Sequence, residues 1–533
     1  MNASGKKGLG KKHLRYKMVS KKTPVKKSLH QKTKALQTVH DAPSIKRTDP
    51  ASASSTSLRS SSSLPSFDFP SRDQFSALCA TPYASYALGS LPHGCRLCVE
   101  GKKTVFFVTG ICPRKCFYCP LAPEKNQHDV LYANEVPLLT TTQLSSAEQD
   151  LEKVFAALAE EIRLCGSAGI GITGGDPLAR PQRVAYLIKR LKEEFGSSFH
   201  IHLYTSFVLA TEKNLSLLAA AGLDELRFHP DFFNPNEWQA IHLARRYSWS
   251  LGIEIPLIAQ LQQQTIAMID FFLDHVDFIN LNELELSWSN EEAMQALGIR
   301  LKENSPSAAE QSLDFGLWLL HYYATKLQFP LPAMQKPRST TFNTSFHAPA
   351  LQRKSNAQEG GVQHLQGYAH EESKSNKLGK SLPSIHLCTA ALKDGHQLRK
   401  RMQLRAERIA KPYDTITDEG LLMRGVVYLK TLAPGLQYKE KLAAIKSISQ
   451  RYAFHQQKLV SIAEQLQAYF GKDNVGIDAN KFRLLIPLSA LEELKKARAS
   501  RSHPLHSLLK ELVFGWVEEY PTYDQFEIEL ELL

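Results

Sequence analysis

The chain has 533 residues, enough for two or three domains with sizeable cores, and its 43% hydrophobic and 22% charged content is ordinary for a globular protein. No run approaches the roughly 18 consecutive apolar residues of a membrane span, and no apolar signal region opens the chain, so a soluble, cytoplasmic protein is expected. The net charge of +12 is local: residues 1–50 hold 14 Lys and Arg against Asp41 and Asp49, and the rest of the chain balances.

In chain order, this Lys-rich start and the Ser-rich run Ser52–Ser66 make residues 1–70 a disordered basic tail. Such a composition buries too little apolar surface to offset its ordering entropy. The tail could solubilise the chain, or hold RNA or another polyanion weakly. Residues 71–102 form an entry segment carrying Gly94-Cys95-Arg96-Leu97-Cys98.

From 103 to 330, β-rich runs alternate with helical patterns. Strands are predicted at Val105–Val108, Gly169–Thr173, His200–Thr205, Glu225–Phe228, Ile253–Pro256 and Phe278–Asn282. Helices are predicted over 146–165, 182–195, 212–221, 236–247 and 263–275, the first with Leu151, Val154, Phe155, Leu158 and Ile162 at helical spacing. Ser145 or Ser146 could cap that helix, and Gly222 stands where the third needs a left-handed end. The alternation specifies parallel strands joined by right-handed crossovers. Six such units predict an α/β fold, a partial (β/α)6 TIM-type barrel whose chemistry collects at the C-terminal strand ends.

A helical extension, 290–328, follows the last strand. Residues 331–382 read as a flexible insertion or linker, being rich in Ser, Gln, Gly and Lys. Residues 383–420 hold His386-Leu387-Cys388 and a basic helix, 395–410, with Arg399, Lys400, Arg401, Arg405 and Arg408. Residues 421–533 predict a small C-terminal α+β domain, ferredoxin-like in pattern: strand Val426–Leu429, helix 439–470, hairpin Val475–Ile486, helices 488–497 and 503–513, strand Phe526–Leu530.

Of the eight cysteines, five fall between Cys95 and Cys119. Clustered cysteines in a chain without a secretory signal point to metal. Gly110-Ile111-Cys112-Pro113-Arg114-Lys115-Cys116-Phe117-Tyr118-Cys119-Pro120 follows the first strand directly. Its C-x3-C-x2-C spacing gathers three thiolates on one short loop, where a four-iron cluster has one iron left over. Structural zinc usually takes two C-x2-C pairs instead. Cys95, Cys98, His386 and Cys388 form a second candidate set, suited to zinc or to an auxiliary iron–sulfur cluster; simple buried thiols are the other reading. Cys79 and Cys165 look structural.

The cysteine loop in this position resembles the radical S-adenosylmethionine (SAM) superfamily. DVLYANE (129–135), TGGDPL (173–178), FHIHLYT (199–205), AGLDELRFHP (221–230) and NLNELE (280–285) further resemble a largely archaeal family described as pyruvate formate-lyase-activating-enzyme-like. The resemblance implies that Cys112, Cys116 and Cys119 hold a [4Fe–4S] cluster whose free iron chelates SAM, cleaved reductively to a 5′-deoxyadenosyl radical. It implies that Gly174, Gly175, Asp176 and Pro177 meet the SAM amino group, that Tyr204, Thr205, Ser206 or Glu254 bonds the ribose, and that the Tyr118 backbone meets adenine. An electron donor such as ferredoxin or flavodoxin is implied too. Arg227, His229, Asn280, Asn282, Glu283 and Glu285 make the mouth polar and favour a hydrophilic, partly anionic substrate. RNA or tRNA, peptide and small-molecule precursors all stay open; glycyl-radical-enzyme activation and a non-catalytic metal scaffold are the alternatives.

Overall fold

The computed structural model describes residues 75–76, 79–134, 136–139, 148–303, 305–329, 382–435 and 437–533. The predicted tail, the caps at Ser145 or Ser146 and nearly all of the predicted linker lie outside them. The chain divides into two compact units, one running to Met423 and including Glu519–Phe526, the other made of Arg424–Glu518 with Glu527–Leu533.

The first unit is built on one ten-stranded sheet. Its strands are β1 (Tyr86–Leu88), β2 (Lys103–Phe107), β3 (Leu131–Ala133), β4 (Val136–Leu139), β5 (Gly169–Thr173), β6 (His200–Thr205), β7 (Glu225–Phe228), β8 (Ser250–Leu257), β9 (Phe278–Glu283) and β10 (Ser384–Cys388). Their spatial order is β1-β10-β9-β8-β7-β6-β5-β2-β3-β4. The six predicted strands pair in parallel, β2 to β5 and onward to β9. The structure adds a seventh parallel strand, β10, which places His386 opposite Asn280 and Cys388 opposite Asn282. Over one hundred residues separate β10 from its neighbour in sequence, so no local signal announces the pairing.

Local rules account for the helices between these strands. Glu148–Cys165 buries Val154, Phe155, Leu158 and Ile162 along one face, each contributing about 1.5–3 kcal/mol of apolar burial. Glu212–Ala221 starts at Thr211, whose hydroxyl accepts from the Asn214 amide, and ends at Gly222 in the left-handed region (φ 94°). The helix expected over 236–247 is instead a 3-10 segment, Pro235–Ala240, followed by one α turn, because the Trp238 indole is drawn back to the Asp231 carbonyl. Helix α1 (His93–Val99) carries the C-x2-C pair and packs against β2, β5 and β6. It fits because Gly94 has no side chain: a Cβ there would lie 2.6–2.8 Å from His202, Arg227 and Lys103.

In the second unit, strands β11 (Leu422–Leu429), β12 (Gly476–Asp478), β13 (Arg483–Ile486), β14 (Leu512–Glu519) and β15 (Glu527–Leu532) lie in the order β12-β13-β11-β14-β15. With helices Ser449–Phe470 and Leu488–Ala499 between them, the first four have ferredoxin-like order. The helix expected over 503–513 is reduced to one turn, His506–Leu509, and the Leu-Val-Phe-Gly-Trp-Val run after it is a strand. Gly515 lets the Glu531 main chain approach closely there.

Candidate active site

The cysteine loop leaves β2 at the C-terminal end of the sheet and is pinned from three sides. On the first, Gln127 Nε2 donates to the Cys112 carbonyl (2.8 Å), while Gly110 exchanges main-chain bonds with His128 and Gln127. Gly110 is obligatory, since a Cβ would fall on the Lys125 carbonyl. Behind this segment Asp129 takes two bonds from Arg183 and one from Arg180. Burial alone would raise the Asp129 carboxyl, but these guanidiniums hold it down to about 2.

On the second side, Arg114 donates to the His229 carbonyl (2.8 Å) and pairs with Glu237. On the third, Asn290 Nδ2 donates to the Tyr118 carbonyl (2.9 Å). The carbonyl expected to meet adenine is therefore already engaged.

The glycine turn after β5 lies against the same loop. The Gly175 amide donates to the Thr109 carbonyl (2.8 Å) and the Asp176 amide to Ile111 (2.9 Å). A Cβ on Gly175 would lie 2.5–2.6 Å from the carbonyl oxygens of Gly110 and Ile111; one on Gly174 would collide with that of Thr109. These glycines thus exist for close packing onto the cysteine loop. Asp176 differs from the expectation. It is 1% exposed and accepts from the Thr205 hydroxyl (2.7 Å), the Ser206 hydroxyl (2.7 Å), the Ser206 amide (3.1 Å) and the Leu178 amide (3.0 Å). The carboxylate ties β5 to β6 and caps the turn Pro177–Ala179. The Thr205 and Ser206 hydroxyls serve Asp176 rather than facing a ribose.

Cys112, Cys116 and Cys119 are all half-buried and unbridged. Burial pushes Cys112 up to about 11 and Cys116 upward too, so both are thiols until a metal displaces the proton. Among the described residues no three His, Cys, Asp or Glu side chains are already gathered to hold a metal ion. For the loop cysteines the donor chemistry nevertheless fits an iron–sulfur cluster: three partly accessible thiols within eight residues, on a backbone held by Gln127, Arg114 and Asn290.

Residues 106–254 match the radical SAM superfamily. A protein of Methanocaldococcus jannaschii named as a glycyl-radical enzyme activating enzyme is 31% identical over 354 residues, covering 65% of this chain and 76% of that one. This chain is a radical SAM enzyme. Similar solved structures include methylornithine synthase (11% identity, 47% of this chain and 72% of that one, TM-score 0.28) and coproporphyrinogen III oxidase from Escherichia coli (15%, 45% and 56%, 0.27). Membership implies a [4Fe–4S] cluster and SAM as cofactors. Among the described residues no helix is long and apolar enough to cross a membrane.

Beneath the loop, the radical SAM barrel is lined by a continuous polar network. Glu254 accepts from Arg227 (2.8 Å), Asn280 (3.0 Å) and Asn282 (2.8 Å), and Arg227 also reaches the Tyr204 hydroxyl (3.3 Å). Arg227 is 2% exposed and forms a second ion pair, 2.5 Å, with fully buried Glu225. Burial would raise Glu225, yet Arg227 and Lys103 hold it well below the carboxylate range. Arg227 is thus paired with two carboxylates, Glu225 and Glu254. Tyr204 belongs to this network, and Glu254 is the hub of its internal bonds.

The second metal set does not assemble. His386 is 1% exposed with both nitrogens engaged, Nδ1 by Asn280 Oδ1 (2.8 Å) and Nε2 by Ser85 Oγ (3.2 Å). Cys95 is held by Arg227 (3.4 Å) and Asn280 (3.7 Å). Burial pushes Cys95 up to about 11, raises Cys98, and lowers His386 to about 4. Cys95 and Cys388 are buried and Cys98 is half-buried, and zinc or an auxiliary cluster there is not supported.

The basic helix is also redirected. Arg405 is buried against Glu161, and Arg401 donates to Asn134 (3.2 Å). Sequence reasoning overlooked Arg114, Gln127, Asp129 and Asn290 as supports of the loop. Only Asp129 carried a signal, standing at the head of DVLYANE.

Proposed function

We propose that Cys112, Cys116 and Cys119 hold the [4Fe–4S] cluster, leaving one iron to chelate SAM, and that the enzyme abstracts hydrogen from a polar, uncharged substrate inside the barrel. When bound and reduced, the cluster supplies the electron that splits the SAM sulfonium into methionine and a 5′-deoxyadenosyl radical. The chain's own part is positional. Gly174 and Gly175 bring the β5 turn onto the cysteine loop, Arg114 and Asn290 fix its ends, and Asp176 locks β5 to β6 beneath it. The main-chain carbonyls of the glycine turn, rather than the Asp176 carboxylate, are the acceptors left for the SAM ammonium. An external one-electron donor, a ferredoxin or flavodoxin, supplies the reductant.

The single observation supporting this reading is the docking of Gly174-Gly175-Asp176 onto the main chain of Thr109–Ile111, the segment that leads into Cys112. Anaerobic reconstitution with iron, sulfide, dithionite and SAM tests it. 5′-Deoxyadenosine should form with the native chain and fall to background with Cys119→Ala; equal formation by both overturns the reading, as does its absence from both, which favours a metal scaffold.

A second reading, activation of a glycyl-radical enzyme, is favoured by the name of the Methanocaldococcus jannaschii relative. It requires a protein loop as substrate, and a peptide-borne glycyl radical signal with a purified candidate partner would establish it. RNA as substrate draws support only from the basic residues 1–50, since Arg401 and Arg405 serve internal contacts.

A further inference from the structure

The Tyr118 hydroxyl has one proton and two acceptors within reach, His229 Nε2 at 2.8 Å and the Cys116 sulfur. The far side of the imidazole decides between them. His229 Nδ1 lies 2.9 Å from the main-chain carbonyl oxygen of Glu254. A carbonyl only accepts, so Nδ1 carries a hydrogen. Burial pushes this imidazole below the ordinary histidine range, against the pull of that carbonyl, so the ring is neutral and Nε2 is a bare acceptor. The phenol hydroxyl carries one hydrogen and, at 2.8 Å, is the donor that Nε2 needs.

Hydrogen bonds to the sulfurs of an iron–sulfur cluster stabilise the added negative charge of the reduced state and raise its potential. A cluster that must reduce a sulfonium gains driving force from a low potential. Resting on the cluster assignment above, we propose that His229 draws the Tyr118 hydroxyl proton away from the Cys116 sulfur and so keeps the potential of the bound cluster low. His229 is a positioning residue in this role. Its main-chain carbonyl separately holds Arg114 (2.8 Å), a contact that survives side-chain substitution, so the imidazole can be tested apart from the loop anchor.

The test is a redox titration of reconstituted full-length protein without SAM, followed by the electron paramagnetic resonance of the reduced cluster. His229→Ala should shift the midpoint to higher potential, because the freed hydroxyl turns to Cys116. Adding Tyr118→Phe to that variant should reverse the shift, and His229→Gln, which can accept from Tyr118, should restore most of it. Tyr118→Phe alone should leave the midpoint near that of the native chain. Three results overturn the proposal: an unchanged or lowered midpoint in His229→Ala, a raised midpoint that persists in the double variant, or a clear fall in Tyr118→Phe alone. The last also decides the matter if the His229 variants fail to fold. Failure of the native chain to assemble a cluster shows first in iron and sulfide content, and overturns the underlying assignment instead.

Discussion

Asp129 and Arg183 meet through two parallel hydrogen bonds, Nη1 to Oδ1 at 2.7 Å and Nη2 to Oδ2 at 3.0 Å, which bind the return of the cysteine loop to the helix Pro181–Phe195. Bidentate pairs of this kind fix direction as well as contributing energy. The loop therefore keeps its place through a charge pair outside its own eleven-residue motif.

Asp129→Asn should lower stability by about 1–3 kcal/mol at neutral pH, leaving Arg183 without its charged partner. The Asp129 carboxyl is depressed, so its contribution is complete above the unfolded value near 4 and is lost as pH falls toward about 2. Urea unfolding of both chains across that range should show the difference narrowing only below about pH 4; a constant difference would contradict this account of the pair.

Gly175→Ala should force the turn and the cysteine loop apart, since the new Cβ meets two main-chain oxygens that cannot yield. Overpacking of this kind costs about 1–3 kcal/mol. Iron bound after reconstitution should drop several-fold while the circular dichroism of the fold persists. Native iron content in the variant would show that the close approach does not matter.

Asp176→Ala should destabilise the chain by about 2–4 kcal/mol, stranding the Ser206 hydroxyl and two amides and leaving the Thr205 hydroxyl only the Ser206 carbonyl at 3.2 Å. A variant of native melting temperature whose only defect is weak SAM binding would instead restore a direct contact with the ammonium.

Cys95→Ser with Cys98→Ser should leave iron and zinc per chain unchanged, because Cys95 and His386 already serve internal contacts. Loss of one metal equivalent per chain would return the second site.

The barrel was legible because its strands are local: Gly169–Thr173, His200–Thr205 and Glu225–Phe228 were read with the boundaries the structure shows. The cysteine loop was legible because its three cysteines lie within eight residues. What escaped depended on distant partners. β10 pairs with a strand more than one hundred positions away, and its His386 looked like a ligand until Asn280 and Ser85 were seen on either side. The bonds of Asp176 escaped for a similar reason: the sequence shows a carboxylate beside two glycines, but not the four donors aimed at it from Thr205, Ser206 and Leu178. Arg227 reads as a substrate clamp until Glu225 and Glu254, two and twenty-seven residues on either side, are found against it.

The central assignment is most directly tested by Mössbauer spectroscopy of chain reconstituted with iron-57, recorded before and after SAM is added. Three protein thiolates predict that one iron of the four changes its signal on SAM addition while three stay as they were. Four irons that remain equivalent and unmoved by SAM would contradict it.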